Sequence, residues 1–169
     1  MIAIQPCEVP SNSFLRRYKD RDGYADCYMV DVMGAITQEQ FVEAFYTSPL
    51  FKVERTLLRH LASRQATDAD AKQLAMGKAT SFSAWRVEAQ SASELLLADV
   101  TGRTRSWLMA TPGTRAANTR LYFGSAVVAR KGHGAHDPGM GWLFHGLLGF
   151  HRLYSRLLLR AASRRLGVA

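Results

Sequence analysis

The sequence predicts an α+β protein in which helices precede an antiparallel sheet and one long C-terminal helix closes the chain. Three observations carry this reading. Helix-start signals and helical spacing of apolar residues run between positions 37 and 77, and the period then switches to two between 81 and 129. The links between the alternating segments are short and polar, with Gly102 in VTGRT and Pro112-Gly113 in TPGTRAAN, which suits antiparallel neighbours rather than helical crossovers. Helical spacing returns in the last 30 or so residues.

The elements follow in order. Residues 1–22 alternate without a sustained period and carry Pro6, Pro10 and the mixed run RRYKDRD, which reads as an irregular arm with a packing role. YADCYMVDVM, from Tyr24 to Met33, has the period of a partly buried strand that Gly34 ends. Thr37 followed by Glu39 and Gln40 opens a helix with Phe41, Val42, Phe45 and Tyr46 on one face, broken at Ser48-Pro49. A second helix starts at once, with Phe51, Leu57, Leu58 and Leu61 buried and Lys52, Arg55 and Arg59 solvated. Thr67-Asp68 opens a third, which stops at Gly77. Four strands then form a meander: SFSAWRVEA (81–89), ELLLADV (94–100), RSWLMAT (105–111) and TRLYFGSAVVA (119–129). With the first strand they make five.

The chain has 169 residues, 47% of them hydrophobic, enough for one domain with a core that needs neither disulfides nor metal. Its two cysteines, Cys7 and Cys27, are too few for a disulfide framework, and the start lacks the pattern of a signal peptide. The expected setting is therefore the reducing cytoplasm. The apolar run from Trp142 to Phe150 is far shorter than the roughly 20 residues that cross a bilayer. The net charge of +8 is uneven, because residues 149–169 carry Arg152, Arg156, Arg160, Arg164 and Arg165 and no acid. Such a charge attracts any polyanion, whether nucleic acid, anionic lipid or acidic protein. GxSxG, Walker and post-strand GxGxxG motifs are absent, as are RNP and zinc-knuckle signatures, so a hydrolase elbow, a nucleotide loop and specific nucleic-acid recognition lack support.

Placed on a helical wheel at about 100° per residue, the closing helix (138–166) puts Leu143, Phe144, His151, Tyr154, Leu157, Leu158, Ala161 and Ala162 on one apolar side. His145, Arg152, Arg156 and Arg160 fall opposite, the solvated face of a helix whose other side packs on the sheet.

The stretches SWLMATPGT, TRLYFGSAVV and GWLFHGLLGFHRLYSRLLLRAA add a resemblance. Over residues 80 to 165 the chain resembles the C-terminal half of a bacterial domain-of-unknown-function family grouped with the START-like polyketide cyclase and lipid-transfer (SRPBCC) superfamily. That resemblance implies a helix-grip fold, in which a curved antiparallel sheet wraps the last helix around a cavity, and a ligand class of lipids, polyketides or other apolar molecules. It implies no particular reaction. Two features depart from the pattern: the loop KGHGAHDPGMG bears histidines, and the sheet looks a strand or two short of a full seven-stranded grip.

Within this frame His151 and Tyr154, at i and i+3 on the inward face, are candidate catalytic or polar contacts, His as acid or base and Tyr as a donor to a carbonyl. The alternative for both is core packing. Asp99, Arg103 and Arg105, with Trp107, form a candidate anion-binding cluster with an aromatic floor, or else a cross-strand ion pair at a hairpin. Trp85 and Tyr122, with Phe123, are candidate cavity walls or core filler. His133, His136 and Asp137 have metal-ligand types but sit in a glycine-rich loop, so no metal and no cofactor are expected. The leading expectation is binding of an apolar or amphipathic small molecule between sheet and helix. Cyclase- or dehydratase-like catalysis through His151 and weak docking of Arg152, Arg156 and Arg160 on an anionic membrane or acidic partner are the alternatives.

Overall fold

The computed structural model describes residues 3–19, 24–58, 66–115, 117–128 and 141–167, with side chains for all of these except 54, 57, 58 and 141–151. The elements run β1 (Gln5–Pro6), α1 (Arg16–Lys19), β2 (Tyr24–Met33), α2 (Gln38–Tyr46), α3 (Pro49–Leu58), α4 (Asp68–Ala75), β3 (Ser81–Phe82), β4 (Trp85–Gln90), β5 (Glu94–Asp99), β6 (Thr104–Pro112), β7 (Asn118–Val127) and α5 (Gly141–Arg165). The α+β class and the order of elements agree with the sequence. The strand count does not, because the strands form one seven-stranded sheet in the order β1-β2-β7-β6-β5-β4-β3, with every pair antiparallel.

The two extra strands have physical causes. The segment expected as one strand from 81 to 89 breaks at Ser83, whose backbone adopts a positive φ of 54°, leaving the short β3 hydrogen-bonded back onto β4. The arm is not wholly irregular either, since β1 pairs with the edge of β2 and α1 makes one helical turn.

The helix starts are those the sequence marks. Thr37 accepts a hydrogen bond from Gln40 N–H at 3.1 Å while the Gln40 side chain accepts from Thr37 N–H at 2.9 Å. This reciprocal capping satisfies two donors that the first helical turn leaves open. Thr67 and Asp70 repeat the device on α4. Pro49 occupies the first position of α3, where a missing N–H is harmless, and Ser48 Oγ accepts from Phe51 N–H at 3.3 Å. Asp68, at the start of α4, meets Lys52 at 2.6 Å and Arg55 at 3.1 Å, tying α4 to α3.

Alternate strand residues enter two cores on opposite faces of the sheet. On one, Tyr28, Val30, Leu97, Leu108, Leu121 and Phe123 meet α2, α3, α4 and α5. On the other, Cys27, Leu96, Trp107, Met109 and Ala126 meet Val9, Leu15 and Tyr18 of the arm. The arm is thus a third layer. Gly124 is where it comes closest: a Cβ built there would lie 2.5 Å from Leu15 Cδ2 and 2.8 Å from the Asp26 carbonyl oxygen, so no side chain fits.

Candidate functional site

The helix-side face of the sheet encloses a cavity of about 280 Å³ between β4, β6, β7, α2, α3 and α5. The period of two sets its wall, because Ser106 of β6 and Ser125 of β7 share inward parity with Leu108, Leu121 and Phe123. Helix α2 contributes Phe45 and α3 contributes Phe51, their ring centroids 6.0 Å apart, and Phe45 packs 4.8 Å from Phe123. Trp85 and Ala84 close one side, the turn from Asp99 to Thr104 forms a rim, and Tyr154, Ser155 and Leu158 arrive from α5.

The wall is apolar with a few polar groups, which is the usual make-up of a small-molecule site. Some of these groups are engaged. Tyr46 Oη and Ser106 Oγ share a hydrogen bond of 3.2 Å. Ser125 donates from Oγ to Asp26 at 2.6 Å, Tyr24 donates to the same carboxylate at 3.3 Å, and Arg152 Nε donates to Tyr24 Oη at 3.2 Å. A chain of contacts therefore runs from a surface cation to the cavity wall. Burial pushes the Tyr24 hydroxyl above its ordinary range, so it acts here as a neutral donor.

Two polar groups on the wall are different. Trp85 Nε1 and Ser155 Oγ are buried and have no hydrogen-bond partner among the described residues. Leaving such a group unmatched costs about 1–3 kcal/mol, so each is a place where an acceptor on a bound molecule gains.

The structure divides the residues singled out from sequence. Trp85, Asp99, Arg105 and Tyr154 are on the cavity wall. Asp99 and Arg105 do not offer their charges to it. The Asp99 carboxylate accepts from Arg103 N–H at 2.8 Å and Thr104 N–H at 3.0 Å, and also from Thr101, so it closes the β5–β6 turn. Partial burial pushes its pKa up, and these hydrogen bonds from Thr101, Thr104 and Arg103 more than offset that, holding it below the usual carboxylate range. Arg105 turns its guanidinium to the opposite face, where Nε lies 2.6 Å from Glu88 and 3.0 Å from Tyr18 Oη and the group stacks 4.7 Å above the Tyr18 ring. Arg103 is exposed on the turn and off the wall.

Trp107 and Tyr122 are corrected outright as cavity residues. They lie on the arm side, 6.1 Å apart, with Trp107 fully buried, because positions 107 and 122 have the parity opposite to Ser106 and Phe123. The side chain of His151 and the residues His133, His136 and Asp137 lie outside what the structure describes. Among the described residues no cluster of His, Cys, Asp and Glu is suited to a metal ion.

The closing helix is also turned from its expected orientation. Leu157, expected inside, is 42% exposed and Leu153 is 57% exposed, while Ser155, Leu158, Leu159, Ala162 and Ser163 are buried. Small Ser155, Ala162 and Ser163 let α5 approach its neighbours, and the apolar count around the wheel does not register that advantage. Arg152 and Arg156 remain exposed but lean on β2, their guanidinium carbons 6.0 Å and 5.3 Å from the rings of Tyr24 and Tyr28.

Sequence reasoning missed Ser106, Ser125, Ser155, Phe45 and Phe51 as wall residues. Ser106 and Ser125 face each other across β6 and β7, a pairing that reading each strand by itself does not reveal. Comparison of the chain with protein-family models, with curated proteins and with solved structures gave no match.

Proposed function

We propose that the chain is a helix-grip protein of START-like type that holds a small, mainly apolar molecule bearing a hydrogen-bond acceptor. The fold reading rests on a seven-stranded antiparallel sheet in which the long strand before the helices, β2, pairs with the last strand, β7, and a terminal helix packs across it. The observation that carries the ligand reading is the pair of buried donors without a partner among the described residues, Trp85 Nε1 and Ser155 Oγ, on a wall that is apolar with a few other polar groups. The cavity's volume of about 280 Å³ is just below the roughly 300–1,000 Å³ of ligand pockets, which favours a monocyclic or short-chain compound over a sterol or a diacyl lipid.

Native mass spectrometry of the freshly purified chain, followed by denaturing extraction, tests this. A stoichiometric small passenger with a carbonyl, carboxylate or ether oxygen supports it. A chain that carries nothing, and whose melting temperature ignores a panel of aromatic and short-chain carbonyl compounds, refutes it.

A second reading has its own observation. Leu153 and Leu157 are exposed one turn apart on α5, beside the exposed Arg156 and Arg164. Arginines flanking a projecting apolar pair suit the surface of an anionic bilayer, where the cations meet phosphates and the leucines dip below the headgroups. No helix among the described residues is long and apolar enough to cross a membrane, so contact through α5 would be peripheral. Co-sedimentation with vesicles containing phosphatidylserine decides it: binding lost in Leu153→Ser/Leu157→Ser and in Arg156→Glu/Arg160→Glu supports the reading, and equal retention on neutral vesicles removes it.

A further inference from the structure

The pairing of β1 with β2 continues one residue beyond β1 and brings the chain's two cysteines face to face. Gln5 pairs with Met29 and Pro6 with Tyr28, and Cys7 N–H then donates to the Cys27 carbonyl at 2.9 Å. The two sulfurs are 3.0 Å apart and both thiols are free. Directly opposed residues of an antiparallel pair have Cα atoms about 4.5–5.5 Å apart, inside the 4.4–6.8 Å window of disulfides. Closing the remaining gap to about 2.05 Å is therefore a matter of side-chain rotation and not of backbone movement.

The environments of the two thiols differ. Cys7 is half-buried at the edge of the sheet, whereas Cys27 is buried in the core beneath the arm. The hydrogen bond with Cys27 draws the Cys7 thiol below its ordinary range, burial opposes this and the charge of Arg120 assists; the same shared contact and burial push Cys27 up. An accessible thiol with thiolate character beside a shielded partner is the usual division between an attacking and a resolving cysteine.

We propose that Cys7 and Cys27 are a redox-active dithiol, oxidised to an intrachain disulfide by a low-molecular-weight disulfide of the glutathione type. The Cys7 thiolate attacks one sulfur of that disulfide, forming a mixed disulfide and expelling one thiolate. Cys27 gives up its proton and attacks Cys7 Sγ, expelling the second thiolate. Two electrons and two protons pass from the protein to the small disulfide, which leaves as two thiols. The new bond closes a ring over residues 7–27, which contains α1 and the Leu15 and Tyr18 side chains of the arm-side core. Oxidation thus fastens the third layer to the sheet, independently of what the cavity holds.

The test is to incubate the reduced full-length chain with oxidised glutathione and follow it by intact mass, differential alkylation and peptide mapping. Expected is a monomer lighter by two hydrogens, loss of both thiols together, a Cys7–Cys27 cross-linked peptide, and a melting temperature raised by of order 5 °C. In Cys27→Ala the reaction stops at a glutathione adduct on Cys7, and in Cys7→Ala the folded protein leaves Cys27 unmodified. A persistent Cys7 adduct in the unaltered chain with Cys27 still alkylatable after denaturation overturns the proposal. So does a disulfide-linked dimer, or no reaction under conditions in which a free small thiol exchanges fully. The mapped cross-link is read on the unaltered chain and does not depend on either variant folding.

Discussion

One carboxylate oxygen of Glu94 accepts both the Trp107 indole N–H and the Phe14 backbone N–H, each at 2.8 Å. Glu94 begins β5, Trp107 faces the arm from β6, and Phe14 belongs to the arm itself. A buried carboxylate with two donors fastens the third layer to the sheet, and truncating it strands both donors. Glu94→Ala is therefore expected to destabilise by about 2–4 kcal/mol in urea unfolding. Limited proteolysis should then cut first between residues 8 and 19. A Glu94→Ala chain that unfolds like the parent with an uncut arm would contradict the three-layer arrangement.

Gly124 provides a steric test of the same layer. A methyl at this position meets Leu15 and the Asp26 carbonyl, and overpacking of this kind costs about 1–3 kcal/mol. Because the nearest of the three obstacles, Leu15, is a side chain, with the Asp26 carbonyl and Trp107 farther off, Gly124→Ala combined with Leu15→Ala should destabilise by less than the sum of the single changes, a coupling that a double-mutant cycle reads directly. Strict additivity would place Leu15 elsewhere.

Acid sensitivity follows from Asp31. Arg120 grips it with two hydrogen bonds, Nε at 2.6 Å and the second nitrogen at 2.7 Å, directly across β2 and β7. The Arg120 guanidinium holds the Asp31 carboxyl below the usual range. A depressed folded pKa means that this contribution is complete above the ordinary aspartate value of about 3.9 and is lost as pH falls through the folded value. Both side chains are partly solvated, which limits the pair to about 0.5–1 kcal/mol. Asp31→Asn should show that loss at pH 7 and a shallower decline of stability below about pH 4. Equal stability of the two proteins at pH 7 would mean the pair contributes nothing.

The cavity predicts opposite signs for stability and binding. Ser155 Oγ is buried with no partner among the described residues, so Ser155→Ala should leave the ligand-free protein as stable as before, or up to about 1 kcal/mol more stable. The same change should weaken any acceptor-bearing ligand about 2- to 10-fold and leave its hydrocarbon analogue unaffected, whereas Trp85→Phe, which also removes apolar wall, should weaken both but the acceptor-bearing ligand more. Thermal unfolding with and without ligand separates the two effects. A Ser155→Ala protein destabilised by more than about 1 kcal/mol would show that the hydroxyl is already matched.

Element types, and most helix starts, were legible in the sequence because they are local. Thr37 and Thr67 cap the helices they announce, Pro49 restarts one, and the Tyr24–Met33 strand has the bounds its alternation suggests. A small part of the wall was legible too, since Trp85 and Tyr154 lie where a sheet and a terminal helix would enclose a ligand. Asp99 and the arginines Arg103 and Arg105, expected as an anion site or a cross-strand ion pair, are instead a turn closed by the Arg103 main chain and an Arg105 side chain paired with Glu88.

What the tertiary structure alone decided is which side each residue faces. A strand covered on one side alternates clearly, whereas β5 is apolar on both parities because helices cover one face and the arm the other. Alternation then marks a strand without ranking its faces, so Trp107 and Tyr122 could be assigned to the wrong core and Ser106 and Ser125 overlooked. The rotation of α5 was hidden for a related reason. Hydrophobicity around a helix records how apolar each side is, but the small Ser155, Ala162 and Ser163 set how closely it packs, and close packing placed Leu153 and Leu157 in solvent. Periodicity therefore determined the elements of this chain, while contacts between distant segments determined their faces.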